Sequence, residues 1–298
     1  MSLINKKIYR LRLKTLYLKN KVLSLTTKKD KQIYIVSSRK YKNRVKEDLV
    51  LQNCFLKNNI FSKIVAWEDN EPSDNYLIRT VWGYHNHIDD FINYISDKNT
   101  INKKELIIDN ADKKKQYELL NKYNICTIDT KFIDNVSELE SVDKKLVIKS
   151  TVSASGNNTY IIENKDELDK CRGLNNLMVQ PYIEGIKDGE ISIIVIDKDI
   201  KYGIRRYPGI FTEYKKEKYI SLDDIPEDIV DIVDKINDIP EYNDVTIMRA
   251  DFVYDENKYK IMEVELVDPA LFIETIDNDE YKKQIYQDIV DASMKTIK

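Results

Sequence analysis

One stretch near the end of the chain limits its fold more than any other. It runs Met248-Arg249-Ala250-Asp251-Phe252-Val253-Tyr254, then after a polar break Ile261-Met262-Glu263-Val264-Glu265-Leu266-Val267-Asp268-Pro269. Both halves alternate apolar and polar side chains, the period of a half-buried strand. The intervening Asp255-Glu256-Asn257-Lys258 is turn chemistry, so the two strands are expected to form an antiparallel hairpin. A one-residue slip would bury the charges, so Met248, Ala250 and Phe252 should share a face with Met262, Val264 and Leu266. An odd-numbered loop then sets Phe252 opposite Met262 and Ala250 opposite Val264. The other face carries Asp251 opposite Glu263 and Arg249 opposite Glu265. Carboxylates that close repel unless a cation sits among them, and hard oxygen donors on rigid strands suit Mg²⁺. The plainer alternative is a solvated sheet face with an incidental salt bridge.

Upstream segments carry further polar chemistry. Residues 146–149 form a short apolar strand ending in Lys149, followed by a small-residue loop at 151–158 and a return strand at 159–163. Backbone amides around Ser153, Ser155 and Gly156 could approach phosphate oxygens, with Lys149 as a point charge; a polar hairpin turn is the alternative. Gly-Lys-Thr is absent and strands follow the loop, so it is not a Walker loop. Residues 177–184 read as a strand ending at Pro181, whose backbone groups near Gln180 and Tyr182 could meet a base edge with Met178 and Ile183 flanking the ring. An interlobe linker explains the same segment. A second hairpin, 189–196 with 201–207, puts Glu190 and Ser192 on one face and ends in Arg205 and Arg206. Asn110 or Asp112 caps a helix that begins with Lys113, Lys114 and Lys115. The strand end around Arg79, Trp82, Tyr84 and His85 could receive a carboxylate, or could simply be a capped strand with packed aromatics.

Taken in order, these motifs resemble an ATP-grasp domain of the RimK-like and glutathione-synthetase-like ligases, nearest the branch that includes the D-cycloserine-forming cyclo-ligase. The resemblance rests on Arg-x-Asp-Phe-Val, Met-Glu-x-Glu-Leu-x-x-Pro-x-Leu-Phe, Gln-Pro-Tyr and Gly-Glu-x-Ser, and covers roughly residues 76–275. It implies that Asp251, Glu263 and Glu265 hold Mg²⁺, for which Mn²⁺ could substitute, and that Arg249 and Arg206 face the transferring phosphoryl group. It also implies that Lys113, Lys149, Ser153, Ser155, Gly156, Gln180, Tyr182 and Glu190 hold ATP, with Arg79 and Trp82 on the substrate side. Gly83 stands where the family has Asp, and residues 208–224 carry a single glycine, Gly209, where relatives are glycine-rich.

Bulk properties set the frame. At 298 residues the chain is long enough for two or three lobes. No apolar run has the length of a membrane span, and no segment has the form of a cleaved signal peptide. Three scattered cysteines, Cys54, Cys126 and Cys171, suggest reduced thiols and a cytoplasmic setting. Net charge is −3, but residues 1–31 hold ten Lys or Arg and only one acid, leaving 38 basic and 50 acidic residues in the remainder. Ile4, Ile8, Leu11, Leu18, Val22 and Leu25 recur at helical spacings, so residues 4–25 are expected to form a basic amphipathic helix. It is read as packing on the acidic body or on a subunit partner, ahead of a peripheral membrane or nucleic-acid contact.

The expected architecture is α/β and α+β. A basic segment (1–31) precedes a small parallel α/β lobe (32–110), and an ATP-grasp domain follows (111–298, lid lobe about 113–180, metal lobe about 181–298). Strands are expected at 32–37, 62–66, 76–80 and 105–108, with helices at 42–57, 88–95, 226–237 and 280–296. The implied activity is ATP-dependent ligation of a small-molecule or peptide carboxylate to an amine through an acyl phosphate, in a chain that could form homo-oligomers. A small-molecule kinase and a non-catalytic nucleotide-binding scaffold are the alternatives. No nucleic-acid partner is expected.

Overall fold

Three runs rich in branched side chains, each buried along nearly its whole length, need cover on both faces, and that requirement selects a parallel sheet. The computed structural model describes residues 3–154, 156–207 and 217–297, with side chains from residue 7 onward. In chain order, Leu3–Thr26 (α1) leads to Gln32–Ser37 (β1), Lys46–Lys57 (α2), Phe61–Ala66 (β2) and Tyr76–Thr80 (β3). The three strands pair in parallel in the order β2-β1-β3. Ile88–Ser96 (α3), Lys104–Asn110 (α4) and Lys113–Lys122 (α5) follow.

Lys131–Ile133 (β4), Leu146–Ser150 (β5), Thr159–Ile162 (β6) and Leu177–Pro181 (β7) form an antiparallel sheet in the order β4-β7-β5-β6. Glu190–Ile196 (β8), Asp199–Arg206 (β9), Lys218–Ile220 (β10), Glu227–Asn237 (α6), Ile247–Asp255 (β11), Lys258–Glu265 (β12) and Asp279–Thr296 (α7) complete the described elements. Their sheet runs β10-β9-β8-β11-β12, all antiparallel. One face, with Ile191, Ile193, Met248, Ala250 and Phe252, packs on Ile229, Val233 and Ile236 of α6. Ile194, Ile196 and Tyr202 on the other face join α7 and the core beneath the parallel sheet.

Several expectations change. The run at 105–108 is part of α4: only Ile107, Asn110 and Ala111 of that stretch are buried, a helical spacing that a short apolar run does not reveal. The helix expected from residue 42 begins at Lys46, because residues 39–44 form turns that include Asn43 in the left-handed region (φ 60°). The hairpin forms with Arg249 opposite Glu265, Ala250 opposite Val264 and Asp251 opposite Glu263, but Phe252 lies opposite Ile261 rather than Met262. The loop is a tight two-residue turn, Glu256 and Asn257, both at positive φ (49° and 66°). A bulge absorbs the extra residue, Met262, and moves it off the core face.

The free edge of β12 is closed by side chains. Asn110 accepts from the Leu266 N–H and donates to the Val264 carbonyl (2.9 and 2.7 Å). Gln116 donates to the same carbonyl and accepts from the Val264 N–H (2.6 and 2.8 Å), and Tyr117 donates to the Met262 carbonyl (3.0 Å). Lys113, Gln116, Tyr117 and Leu120 make up the buried face of α5 at i, i+3, i+4 and i+7, so this clip also fixes where Lys113 points.

The N-terminal helix forms and packs on α2, but not through the stripe its spacing suggested. Asn20 is buried, donating to the Leu49 carbonyl and the Gln52 side chain and accepting from Asn53, beside partly buried Leu13 and Leu16. Ile8, Leu11, Leu18, Val22 and Leu25 face solvent. Among the described residues no helix is long and apolar enough to cross a membrane, and the three cysteines are unpaired.

Replacing Gln116 with Leu removes the acceptor of the buried Val264 N–H and leaves its carbonyl to Asn110 alone. The variant is expected to lose about 1–3 kcal/mol in urea denaturation. A change within about 0.5 kcal/mol, as at an ordinary surface site, would show that the clip does not hold the strand.

Candidate functional site

Between the two antiparallel sheets lies a cleft of about 570 Å³. It brings together Lys113, Lys149, Ser153, Gly156, Gln180, Tyr182, Glu190, Arg206, Arg249, Asp251 and Glu263, residues spread over 151 positions of sequence. Glu265, Arg79 and Trp82 do not line it. Ser155 lies outside the described residues, as do residues 208–216 of the glycine-poor segment.

The inner wall is the polar face of β8, β9, β11 and β12. Arg249 grips Asp251 with two nitrogens (Nε to Oδ1 and Nη2 to Oδ2, both 2.9 Å). Arg206 reaches the same carboxylate from β9 (Nη2 to Oδ2, 2.8 Å) while also pairing with Glu190 (2.8 Å) and donating to Ser192 Oγ (2.7 Å). The Phe272 ring lies beneath its guanidinium (5.4 Å to the centroid). Burial pushes the Asp251 carboxyl up, but Arg206 and Arg249 outweigh it and hold Asp251 well below the usual carboxylate range. Burial raises Glu190 in spite of its pairing with Arg206.

Lys113 enters from α5. Its ammonium meets Glu263 Oε1 (3.0 Å) and donates to the Ser153 carbonyl (2.6 Å), tying α5 to both the hairpin and the loop between β5 and β6. Burial opposes charge on Lys113, yet Glu263 keeps its pKa above the ordinary lysine value. Among the described residues Lys149 has no such partner. Burial, and Lys113 close by, push its ammonium down to about 8. His85 Nε2 lies 3.2 Å from the Asn157 amide nitrogen, so the segment after β3 touches the same β5–β6 loop.

The apolar end of the cleft is formed by Ile128, Val147, Ile161, Ile183, Val253 and Met262. Met178, expected to flank a ring here, is instead fully buried in the strand and does not line the cleft. Met262 takes that part, brought to the cleft face by the bulge. β4 begins opposite Val179, so the chain from Gln180 onward runs past it with one ladder edge open. Tyr182 donates its N–H to the Lys145 carbonyl on the opposite side (2.9 Å). Alternation along the strand therefore turns the Pro181 carbonyl and the Ile183 N–H toward the open edge, one residue away from the Gln180 and Tyr182 groups expected from sequence. The Gln180 side chain is held by Tyr117 and Thr130 (3.0 and 2.8 Å).

The carboxylates test the fit of a cation. Glu265 is turned toward the chain beyond β12, its Oε1 accepting from the Val267 and Asp268 N–H groups (2.8 and 3.1 Å). Burial and then Glu263 raise its carboxyl, and burial and then Glu265 raise that of Asp268 still further. Asp268 Oδ2 is buried without a hydrogen-bond partner among the described residues. This end of the cluster is short of positive charge, and its donors are all oxygen, which fits a hard divalent cation. Among the described residues no three such groups already converge as a ligand set: Asp251 faces arginines and Glu263 faces Lys113. Asp268 went unnoticed in the sequence, although acids at 263, 265 and 268 were there to be read together.

Arg79 lies away from the cleft, 2% exposed, donating to the Pro269 carbonyl (2.8 Å) between Glu47 (3.5 Å) and Asp48 (3.8 Å). It joins the parallel sheet to the chain leaving β12. Trp82 is partly exposed and stands edge-on to Tyr41 (4.7 Å).

Residues 110–264 match the family described as the RimK-like ATP-grasp domain. Among solved structures, D-cycloserine synthetase DcsG superposes with a TM-score of 0.71 at 14% identity, covering 87% of this chain and 99% of its own. A RimK domain ATP-grasp protein from Sphaerobacter thermophilus gives 0.62 at 11% identity (89% and 99%). The D-alanine–D-alanine ligase of Bacillus anthracis complexed with ATP gives 0.59 at 15% identity (89% and 96%). At these identities the likeness establishes the ATP-grasp fold. No curated protein sequence gives a significant match.

A phosphate group docked beside Lys149 restores its proton. At pH 8, where the free amine is near its midpoint, ATP binding is expected to take up about half a proton. Calorimetry in two buffers of different ionisation enthalpy measures this, and Lys149→Arg, charged throughout, should abolish the lysine's share. The same uptake in wild type and variant would contradict the assignment.

Proposed function

The chain belongs to the RimK-like ATP-grasp family, and from that premise we propose that it is an ATP- and Mg²⁺-dependent ligase joining a carboxylate to an amine. The observation that carries this reading is the gathering of Lys149, Arg206 and Arg249 over Asp251 and Glu263, beside an apolar slot with an open backbone edge. The slot has the chemistry for adenine: the Pro181 carbonyl and Ile183 N–H meet the base edge while Met262 and Ile183 cover its faces. The phosphates then extend toward Lys113 and Lys149, under the loop bearing Ser153 and Gly156. On this reading residues 32–110 form the front lobe and 111–298 the ATP-grasp unit. Arg79 holds that front lobe in place and does not meet the substrate.

Asp251, Glu263 and Glu265 are the residues that would hold Mg²⁺, and the ion would neutralise phosphate oxygens as charge develops on them. The chain's own cations do the rest. A substrate carboxylate oxygen attacks the γ-phosphorus in line, the bond to the ADP oxygen breaks, and an acyl phosphate results. The amine nitrogen then attacks the acyl carbon, sheds a proton, and phosphate leaves with the electrons of the C–O bond. Arg249 and Arg206 stabilise charge on the transferring group, and Lys149 holds the same group from the opposite sheet. No protein nucleophile is required, since the positioned carboxylate of the substrate serves. The substrate is an amino-acid-like molecule or a peptide end.

Hydroxylamine tests the proposal because it intercepts an acyl phosphate as a hydroxamate. With ATP, Mg²⁺ and a panel of amino acids, at least one acid is expected to give hydroxamate and ADP in equal amounts. Arg249→Met is expected to lower the rate about a hundredfold or more. ADP release independent of any acid would contradict the ligase reading, and a stable phosphorylated product in its place would make the chain a kinase.

A further inference from the structure

The helix α1 has two working faces. Leu13, Leu16 and Asn20 pack on the body, while the opposite side carries an uncovered stripe that is apolar at every position but Thr15. That stripe, Ile8, Leu11, Thr15, Leu18, Val22 and Leu25, alternates steps of three and four without a break. Exposure along it runs from 46% at Ile8 to 80% at Leu25. This is a heptad seam of three repeats, narrower than the stripe of a helix packed in a globular core. Its two positions also differ in kind: Ile8, Thr15 and Val22 are β-branched, whereas Leu11, Leu18 and Leu25 are leucines. β-branched residues at the first core position with leucine at the second favour a parallel two-stranded coiled coil.

The flanks choose the partner. Lys7, Lys14 and Lys21 border the seam on one side, and Arg12 and Lys19 on the other. The helix, residues 3–26, carries seven basic residues and no acid. In a parallel pairing of two copies, Lys7 would face Arg12 and Lys14 would face Lys19, so a second copy is repelled. A bilayer responds to apolar area and positive charge but is indifferent to the alternation of β-branched residues with leucine. That alternation is what a helix reads. From these observations we infer that α1 is the docking helix for a partner protein with an acidic amphipathic α-helix, joined to it as a parallel two-stranded coiled coil. Because α1 is already folded against α2, only the partner helix is ordered on binding. The surface is independent of the nucleotide cleft and of the reaction assigned to it.

The probe is a fluorescein-labelled peptide of about four heptads with Ile and Leu at the core positions and Glu at both flanks, titrated with the full chain by anisotropy. Saturable binding that weakens as salt rises is expected. Binding should be at least about tenfold weaker to a peptide with Lys at the flanks, and to one of the same composition with its core positions scrambled. The double substitution Leu11→Glu and Leu18→Glu should remove binding while leaving thermal unfolding and ATP binding unchanged, since both side chains are exposed. Equal binding of the scrambled peptide would reduce the surface to bare charge and overturn the proposal. So would absence of peptide binding, whether the chain then sediments with phosphatidylserine vesicles or self-associates through the seam.

Discussion

Burying several carboxylates on one sheet face is costly unless each finds a cation, and the rest of this structure is arranged around that requirement. Asp251 is held by Arg249 from its own strand and by Arg206 from β9. Glu263 is met by Lys113 from α5, which can reach it only because Gln116 and Tyr117 clip that helix to the edge of β12. Glu265 and Asp268, farther along, have no equivalent cation among the described residues, and their carboxyls rise. The site is thus balanced at one end and short of positive charge at the other. A metal–nucleotide complex would supply cation and anion together, so Arg206, Arg249 and Lys113 could turn from carboxylate to phosphate without any charge being left bare.

The bulge at Met262 gives the same hairpin a second use. Without it, Met262 would sit in the core with Val264 and Leu266, and the cleft would lose one wall of its apolar end. With it, one residue of β12 changes face while Asp251 still lies opposite Glu263. Charged and apolar ends of the cleft are therefore fixed by one strand pair, at a separation set by the backbone and not by flexible side chains.

Much of this was legible in the sequence, for identifiable reasons. The alternation in residues 248–254 and 261–267 specified the pairing of Arg249 with Glu265 and Asp251 with Glu263, because any slip would have buried charge on the wrong face. The parallel sheet followed from β-rich runs separated by helical ones. What was missed depended on tertiary context. A bulge leaves the period of each strand intact on either side, so only the two-residue turn could have exposed it. The run at 105–108 is too short to separate strand from helix. That Glu47 and Asp48, from a different element, surround Arg79 could not be read from its own strand. The stripe on α1 was visible, but which face of the helix the body would cover was not, since the covering contacts run through Asn20, a polar residue. Residue identities named the chemistry of the cleft; distances decided which side chains share it.

The proposed role of Asp251, Glu263 and Glu265 is to bind ATP through a divalent cation. Calorimetric titration of ATP with and without Mg²⁺, on the wild type and on a Glu263→Gln, Glu265→Gln variant, tests it most directly. Wild-type binding is expected to tighten at least about tenfold with Mg²⁺, and the variant is expected to lose that gain. ATP affinity that is indifferent to the metal, or a metal effect unchanged in the variant, would contradict it.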